Sequence, residues 1–156
     1  MDVVSSLKWR YATKKFDENR FLEEQKLAVL QESFNLTATS YGLQPLRLVV
    51  IANKEIQAKL MEAAMNQRQV LDASHLLIIC IERKVKAPFV TNYFDRVQEI
   101  RETPETILKP FKEMLANKFD NQSKSETREW AIRQAYLAMG NLLTVSALEK
   151  IDACPM

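Results

Sequence analysis

Arg10 and Lys14 stand four residues apart in the segment Arg10-Tyr11-Ala12-Thr13-Lys14, and this pairing of types is the first in the chain that could do chemistry. A guanidinium presents a planar fork of donors and an ammonium a mobile point charge; in a non-helical segment both can converge on one anion. The glycine count narrows how an anion could be held. Only Gly42 and Gly140 occur in the 156 residues, whereas a dinucleotide fingerprint needs three glycines in one turn and a P-loop needs two ahead of its lysine. Both backbone cradles are excluded by counting, so a phosphate bound here is bound by side chains. Two more polar stretches could contribute: the loop Thr39-Ser40-Tyr41-Gly42-Leu43-Gln44-Pro45, and Asn66-Gln67-Arg68-Gln69, a polar break in an apolar region.

These stretches need elements to position them, and the apolar periodicity supplies candidates. Asp2 to Trp9 places Val3, Val4 and Leu7 at helical spacing with Asp2 as an N-cap. Tyr11 to Arg20 is basic and polar without an apolar period, so it reads as irregular chain. Leu22 to Ala38 is a longer helix, and the hydroxyl-rich loop follows it. Leu46 to Ala52 is β-branched and bounded, the pattern of a strand. Lys54 to Ala64 returns to helical spacing through Ile56, Leu60 and Met61. Leu76 to Ile81 is a continuous apolar run, as expected of a central strand covered on both faces. Lys84 to Thr103 and Glu105 to Phe119 read as two helices separated by Pro104, and Asp120 to Ser125 as a turn with Ser125 as the next N-cap.

The element around which the rest would be organised is Glu126 to Lys150. From Ala135 to Leu148 its apolar residues fall on nearly every side, so a helix there is expected to be buried. Gly140, Asn141 and Thr144 form a stripe of small residues where a second helix could approach closely. A chain this short struggles to surround one helix completely, which predicts a homodimer whose partner supplies part of the cover.

The totals exclude several classes. Hydrophobic residues at 47% and charged residues at 27% are ordinary for a globular domain, and the expectation is one domain over residues 1–156. Lys plus Arg outnumber Asp plus Glu by only 22 to 20, so no bulk field points to nucleic acid or to an anionic membrane. The N-terminus lacks a secretory pattern and no apolar run is long enough to span a bilayer, which predicts a cytoplasmic protein. Cys80 and Cys154 are too few for a disulfide framework and have no partners for a zinc site.

Taken together and in order, the polar stretches resemble the FMN-dependent nitroreductase family of homodimeric NAD(P)H oxidoreductases. The resemblance rests on R-x-x-[TS]-K at Arg10 to Lys14, S-x-x-x-Q-P from Ser40 to Pro45 and N-x-x-x-x-L-D-A-S-H from Asn66 to His75. It continues through E-W…Y-L…G-N between Glu129 and Asn141, and ends in A-x-P-[MI] at Ala153 to Met156. It implies an α+β fold: a three-layer α/β/α sandwich with a mainly antiparallel sheet, a long central dimerisation helix, and C-terminal strands missing from this sequence.

It also implies roles. Arg10 would pair with the FMN phosphate, Tyr11 and Ala12 would line the ribityl chain, and Lys14 would sit near the flavin O2/N1 edge, where reduction places negative charge. Asn66 would hydrogen-bond the pyrimidine edge beside Gln69. Thr39 and Ser40 would reach the cofactor from the partner subunit, and Pro155 and Met156 would border it. Tyr41 and Phe111, the latter in an F-x-x-M context with Met114, would meet the substrate. NADH or NADPH would deliver hydride and a small-molecule acceptor, a nitroaromatic or a quinone, would enter the same site. No acid or base side chain is required, and His75, the single histidine, is expected to be a hydrogen-bonded core residue.

Three departures qualify the resemblance. Ala12 replaces a serine common in the family, removing one hydroxyl contact, and Gln69 replaces a lysine found in some members, leaving Lys14 as the main cation at the ring. After Met156 the family continues with Glu-Gly, a strand and basic phosphate ligands; a chain without them is expected to hold FMN weakly. The alternative reading is a truncated or decayed member that acts as a non-catalytic helical dimer.

Overall fold

The computed structural model describes residues 2–156. Among them are seven α-helices, a short 3-10 turn at Ser40–Gly42 and two strands. The chain divides into two compact units, one formed by the chain up to Ala38 with Leu48–Cys80 and Tyr136–Met156, the other by Thr39–Arg47 and Ile81–Ala135.

The first unit opens with α1 (Val3–Trp9), where the Asp2 carboxylate accepts from the Val4 and Ser5 amides at 3.1 Å each. This is the expected cap. Residues 10–23 form no helix, and α2 (Glu24–Asn35) is shorter at both ends than the periodicity predicts. It stops where Thr37 turns its hydroxyl back onto the Ser33 carbonyl at 3.0 Å. Strands β1 (Leu46–Ile51) and β2 (Leu76–Ile81) pair with each other. The Glu82 amide donates to the Pro45 carbonyl at 2.8 Å, joining the start of β1 to the end of β2, so the pair is antiparallel. The expectation for β2 needs correction: it has one neighbour among the described residues, and Ile78 is exposed rather than covered.

Between the strands run α3 (Lys54–Ala63) and the single turn α4 (Gln69–Asp72). Here, too, periodicity misjudged the inward face. Ile56 is exposed, whereas Gln57 is fully buried, because the carbonyls packed against α3 need its amide donors.

In the second unit, α5 (Ala87–Arg101) and α6 (Glu105–Asn121) pack as a hairpin, broken at left-handed Glu102 and Pro104. Leu43, Val85, Val90, Phe94, Leu115 and Phe119 form its apolar core. Lys86 closes the hairpin at its far end, its ammonium donating to the carbonyls of Phe119, Asp120 and Gln122 at 2.9, 3.1 and 3.2 Å. A cation on the last carbonyls of a helix also opposes its dipole.

The long helix α7 (Lys124–Leu148) has residues in both units. Its cap is Ser123, not Ser125: the Ser123 hydroxyl accepts from the Glu126 amide at 3.2 Å, while the Glu126 carboxylate receives the Ser123 amide at 2.9 Å and its hydroxyl at 2.6 Å. That is a reciprocal capping box, and the Ser123 donors hold the Glu126 carboxyl below its usual pKa. The expected burial on all sides is not met within the chain. Ala138, Leu142 and Ala147 are buried, but Tyr136 is 66% and Leu137 54% exposed. The small-residue stripe is also divided. Among the described residues, nothing beyond Gly140's chain neighbours and its own helix backbone lies within 4 Å of where a Gly140 side chain would begin, but Asn141 is turned inward, donating to the Ser33 carbonyl at 2.8 Å and the Thr37 hydroxyl at 3.0 Å.

Candidate functional site

In the first unit, Arg10 follows directly after α1 and caps it with its own amide, which donates to the Ser6 carbonyl at 3.1 Å. The chain then runs extended, and Ala12 bridges Ala153 in parallel. Thr13 locks that bridge. It is 2% exposed, its amide donates to the Ala153 carbonyl at 3.3 Å, and its hydroxyl donates to the Asp152 carboxylate at 3.3 Å. The segment Arg10–Lys14 and the segment leading to Pro155 and Met156 are thus neighbours running in one direction, although they are separated by most of the sequence.

Thr13 points in; Tyr11 and Lys14 are exposed on either side of it. Half-buried Arg10 and exposed Lys14 form no ion pair among the described residues. Cations so placed have room for an anionic partner. Pro155 and Met156 are exposed beyond the bridge.

Asn66 occupies the turn between α3 and α4 with φ of 56°, following Met65 at 53°. Asparagine tolerates this left-handed region better than most residues. Its side chain is exposed, and Gln69 opens α4 half-buried. His75 is hydrogen-bonded as expected, with the Ser74 hydroxyl 3.0 Å from Nδ1, but it is half-buried rather than in the core; that burial, aided by the nearby Lys54 charge, lowers the imidazole pKa. Ser74 also accepts the Leu22 amide at 3.2 Å, which ties the chain after the basic segment to the start of β2.

In the second unit, the hydroxyl loop is tightly specified. The Thr39 hydroxyl accepts the Gln44 amide at 3.1 Å, so it braces its own loop, and the Ser40 amide donates to the Gln134 side-chain oxygen at 2.8 Å. Tyr41 has φ of 62° and Gly42 of 70°. A side chain at Gly42 would start 2.5 Å from the Tyr93 hydroxyl, so both conformation and space favour glycine there. The Tyr41 ring stands edge-on to Phe119 at 6.3 Å, with the Lys118 ammonium 6.0 Å from its centre. Phe111 is 41% exposed and rests edge-on against Phe94 at 5.8 Å, with Met114 exposed one turn on. An aromatic ring anchored on one edge and open on the other offers a flat apolar surface.

Sequence reasoning missed the residues that hold these groups. Thr13, Gln134, Asp152, Lys54 and Gln57 each bind loop backbone or its anchor. The available signal was a polar residue where helical spacing calls for an apolar one, as at Gln57.

A helix-rich α+β chain with a small antiparallel sheet and an R-x-x-T-K segment clamped beside its C-terminal residues defines a recognisable class. The Nitroreductase family model matches residues 7–156, and the chain belongs to the nitroreductase family. A Staphylococcus saprophyticus protein named "Putative NAD(P)H nitroreductase" is 33% identical over 159 residues, covering 99% of this chain and 72% of the relative. Among solved structures, a nitroreductase-like protein from Streptococcus mutans superposes with a TM-score of 0.84 at 21% identity, over 98% of this chain and 74% of that one. A structure described as a "putative nitroreductase in complex with FMN", from Exiguobacterium sibiricum, has a TM-score of 0.80 at 20% identity, over 94% and 70% respectively.

Proposed function

We propose that this chain is an FMN-dependent NAD(P)H oxidoreductase that reduces small-molecule acceptors, nitroaromatics or quinones, with donor and acceptor using one site in turn. Family membership supports the oxidoreductase chemistry, and the names of the relatives support NADH or NADPH as donor and FMN as cofactor. The observation that carries the reading is the clamp of Thr13 on Ala153 and Asp152, which fixes a segment whose two cations form no ion pair among the described residues. This donor set fits a phosphate-bearing flavin: Arg10 for the phosphate, Tyr11 and Ala12 along the ribityl chain, Lys14 at the ring edge. Asn66 and Gln69 meet the pyrimidine edge. Pro155 and Met156 border the cofactor, Thr39 and Ser40 reach it from the partner subunit, and Tyr41 and Phe111 face the substrate.

FMN supplies hydride exchange at its ring when bound; the side chains supply position, charge and exclusion of water. Lys14 is the residue that meets developing negative charge. A homodimer completes the site in this reading, supported by the exposed apolar residues Val3, Val4, Leu7 and Trp9 on α1 and Tyr136 and Leu137 on α7. Among the described residues no helix is long and apolar enough to cross a membrane.

The test is flavin titration of the purified chain, followed by absorbance and fluorescence, alongside Arg10→Ala and Lys14→Ala. Arg10→Ala is expected to weaken FMN more than riboflavin, since only FMN carries the phosphate. Lys14→Ala is expected to lower the flavin reduction potential and slow acceptor reduction. A chain that stays colourless with FMN, or an Arg10→Ala variant with an unchanged FMN-to-riboflavin affinity ratio, refutes the assignment. Sedimentation of the same sample tests the dimer.

A further inference from the structure

Helix α3 grips the stretch carrying Asn66 and Gln69 at both ends. At the near end, the Asn66 amide donates to the Met61 carbonyl at 3.0 Å and the Gln67 amide to the Ala64 carbonyl at 3.1 Å. Those bonds hold the reversal through left-handed Met65 and Asn66. At the far end, the Gln57 amide donates to the carbonyls of Val70 at 3.0 Å and Ala73 at 2.8 Å. Lys54, one turn earlier, donates to those of Leu71 at 2.8 Å and Ala73 at 2.7 Å. Two side chains on one face of α3 therefore serve three carbonyls at the close of α4.

This arrangement exceeds what packing requires. Gln57 is fully buried with both amide hydrogens spent, and its Oε1 has no hydrogen-bond partner among the described residues. An apolar side chain of similar size would fill the space without an orphaned oxygen, but it would abandon the Val70 carbonyl and remove one of the two donors at Ala73. Lys54 forms no ion pair among the described residues; its ammonium also lies 5.7 Å from the centre of the Phe21 ring. Helix α4 spans only four residues, too few to be stable on its own bonds. Its geometry is imposed from α3.

We propose that Lys54 and Gln57 are positioning residues, fixing α4 and the preceding turn so that Asn66 and Gln69 meet the flavin pyrimidine edge in one pose. The proposal rests on the flavin assignment above. Side chains aimed by a pinned backbone stabilise a ring without reorganising, whereas the same groups on a loose turn do not.

The experiment compares Lys54→Met, Lys54→Arg and Gln57→Leu in the full chain. Each is read by circular dichroism, FMN and riboflavin affinity, and the potential of the bound flavin. Lys54→Met and Gln57→Leu are expected to weaken FMN and riboflavin alike, by about tenfold, and to shift the potential. The FMN-to-riboflavin ratio should hold, because the Arg10 phosphate contact is untouched. Lys54→Arg, which can still donate to both carbonyls, should restore wild-type affinity and potential. Folded Lys54→Met and Gln57→Leu proteins with wild-type affinity and potential overturn the proposal. If Gln57→Leu does not fold, the half-buried Lys54 pair decides alone. Asn66→Ala separates the layers: a loss there without any loss in Lys54→Met removes only the positioning role. No effect of Asn66→Ala, or no flavin binding by the chain, removes the ring-edge assignment as well.

Discussion

Both units bury apolar residues, but they differ in their largest fully buried side chains. The largest fully buried side chains of the second are mainly apolar, with Phe119, Leu43, Leu115, Val85 and Val90 among them, whereas those of the first are Gln57 and Ser6. In the second unit, a continuous core between α5 and α6 sets the backbone, and hydrogen bonds finish its ends. In the first, short irregular segments at 10–14 and 64–73 cannot bury much apolar surface, and side-chain donors and acceptors hold them instead. The lesson concerns what each can provide. Apolar packing gives stability in proportion to area and tolerates small shifts; a buried donor on a carbonyl gives direction and fails abruptly when removed.

The contrast can be broken most directly at Phe119. It is fully buried, with the Trp130 ring 4.8 Å away, and Phe119→Ala is expected to cost about 3–5 kcal/mol in urea unfolding. A loss below 1 kcal/mol would mean that this core is not what holds the second unit. Lys86→Met sharpens the comparison from the polar side, stripping the donor from three carbonyls at the end of α6. A loss of about 1–3 kcal/mol is expected in the same measurement, smaller than at Phe119 even though three bonds go at once.

The first unit is probed by pH. The His75 imidazole is held below its ordinary value of 6.5 by burial and then by the Lys54 charge, so the folded state binds its proton less readily than the unfolded chain does. Its stabilising contribution is present above pH 6.5 and is lost as pH falls through the lowered folded value. Unfolding free energy measured from pH 8 downward should therefore decline across that window, and His75→Gln should flatten the decline. An unchanged slope would detach His75 from the effect. The smallest expected response is at Arg133, whose ion pair with Glu129 at 3.5 Å is exposed on both sides. Arg133→Ala should change stability by less than about 0.5 kcal/mol.

Much of this arrangement was legible in the residues. The Asp2 cap, the break at Pro104, both strands and the irregular course of residues 10–20 follow from local rules on capping, proline and periodicity. The ordered motifs at Arg10–Lys14, Ser40–Pro45 and Asn66–His75 were enough to identify the family. What failed were inferences about faces. Ser123 displaced Ser125 as the cap of α7 because only Ser123 stands three residues before a glutamate that can return the bond. Asn141, counted in the stripe where a second helix could approach, meets helix α2 of its own chain through Ser33 and bonds Thr37 just beyond it.

The sequence alone determined the α-helices other than the single turn α4, the two strands, and which residue types could hold a phosphate, since these depend on neighbours within a few positions. Only the tertiary structure decided that Thr13 clamps on Asp152 and Ala153, that Gln57 turns inward while Ile56 turns out, and that α7 leaves Tyr136 and Leu137 uncovered. Those outcomes depend on which distant carbonyls arrive needing a donor. A buried carbonyl must be paired, and nothing in local periodicity says where it will be.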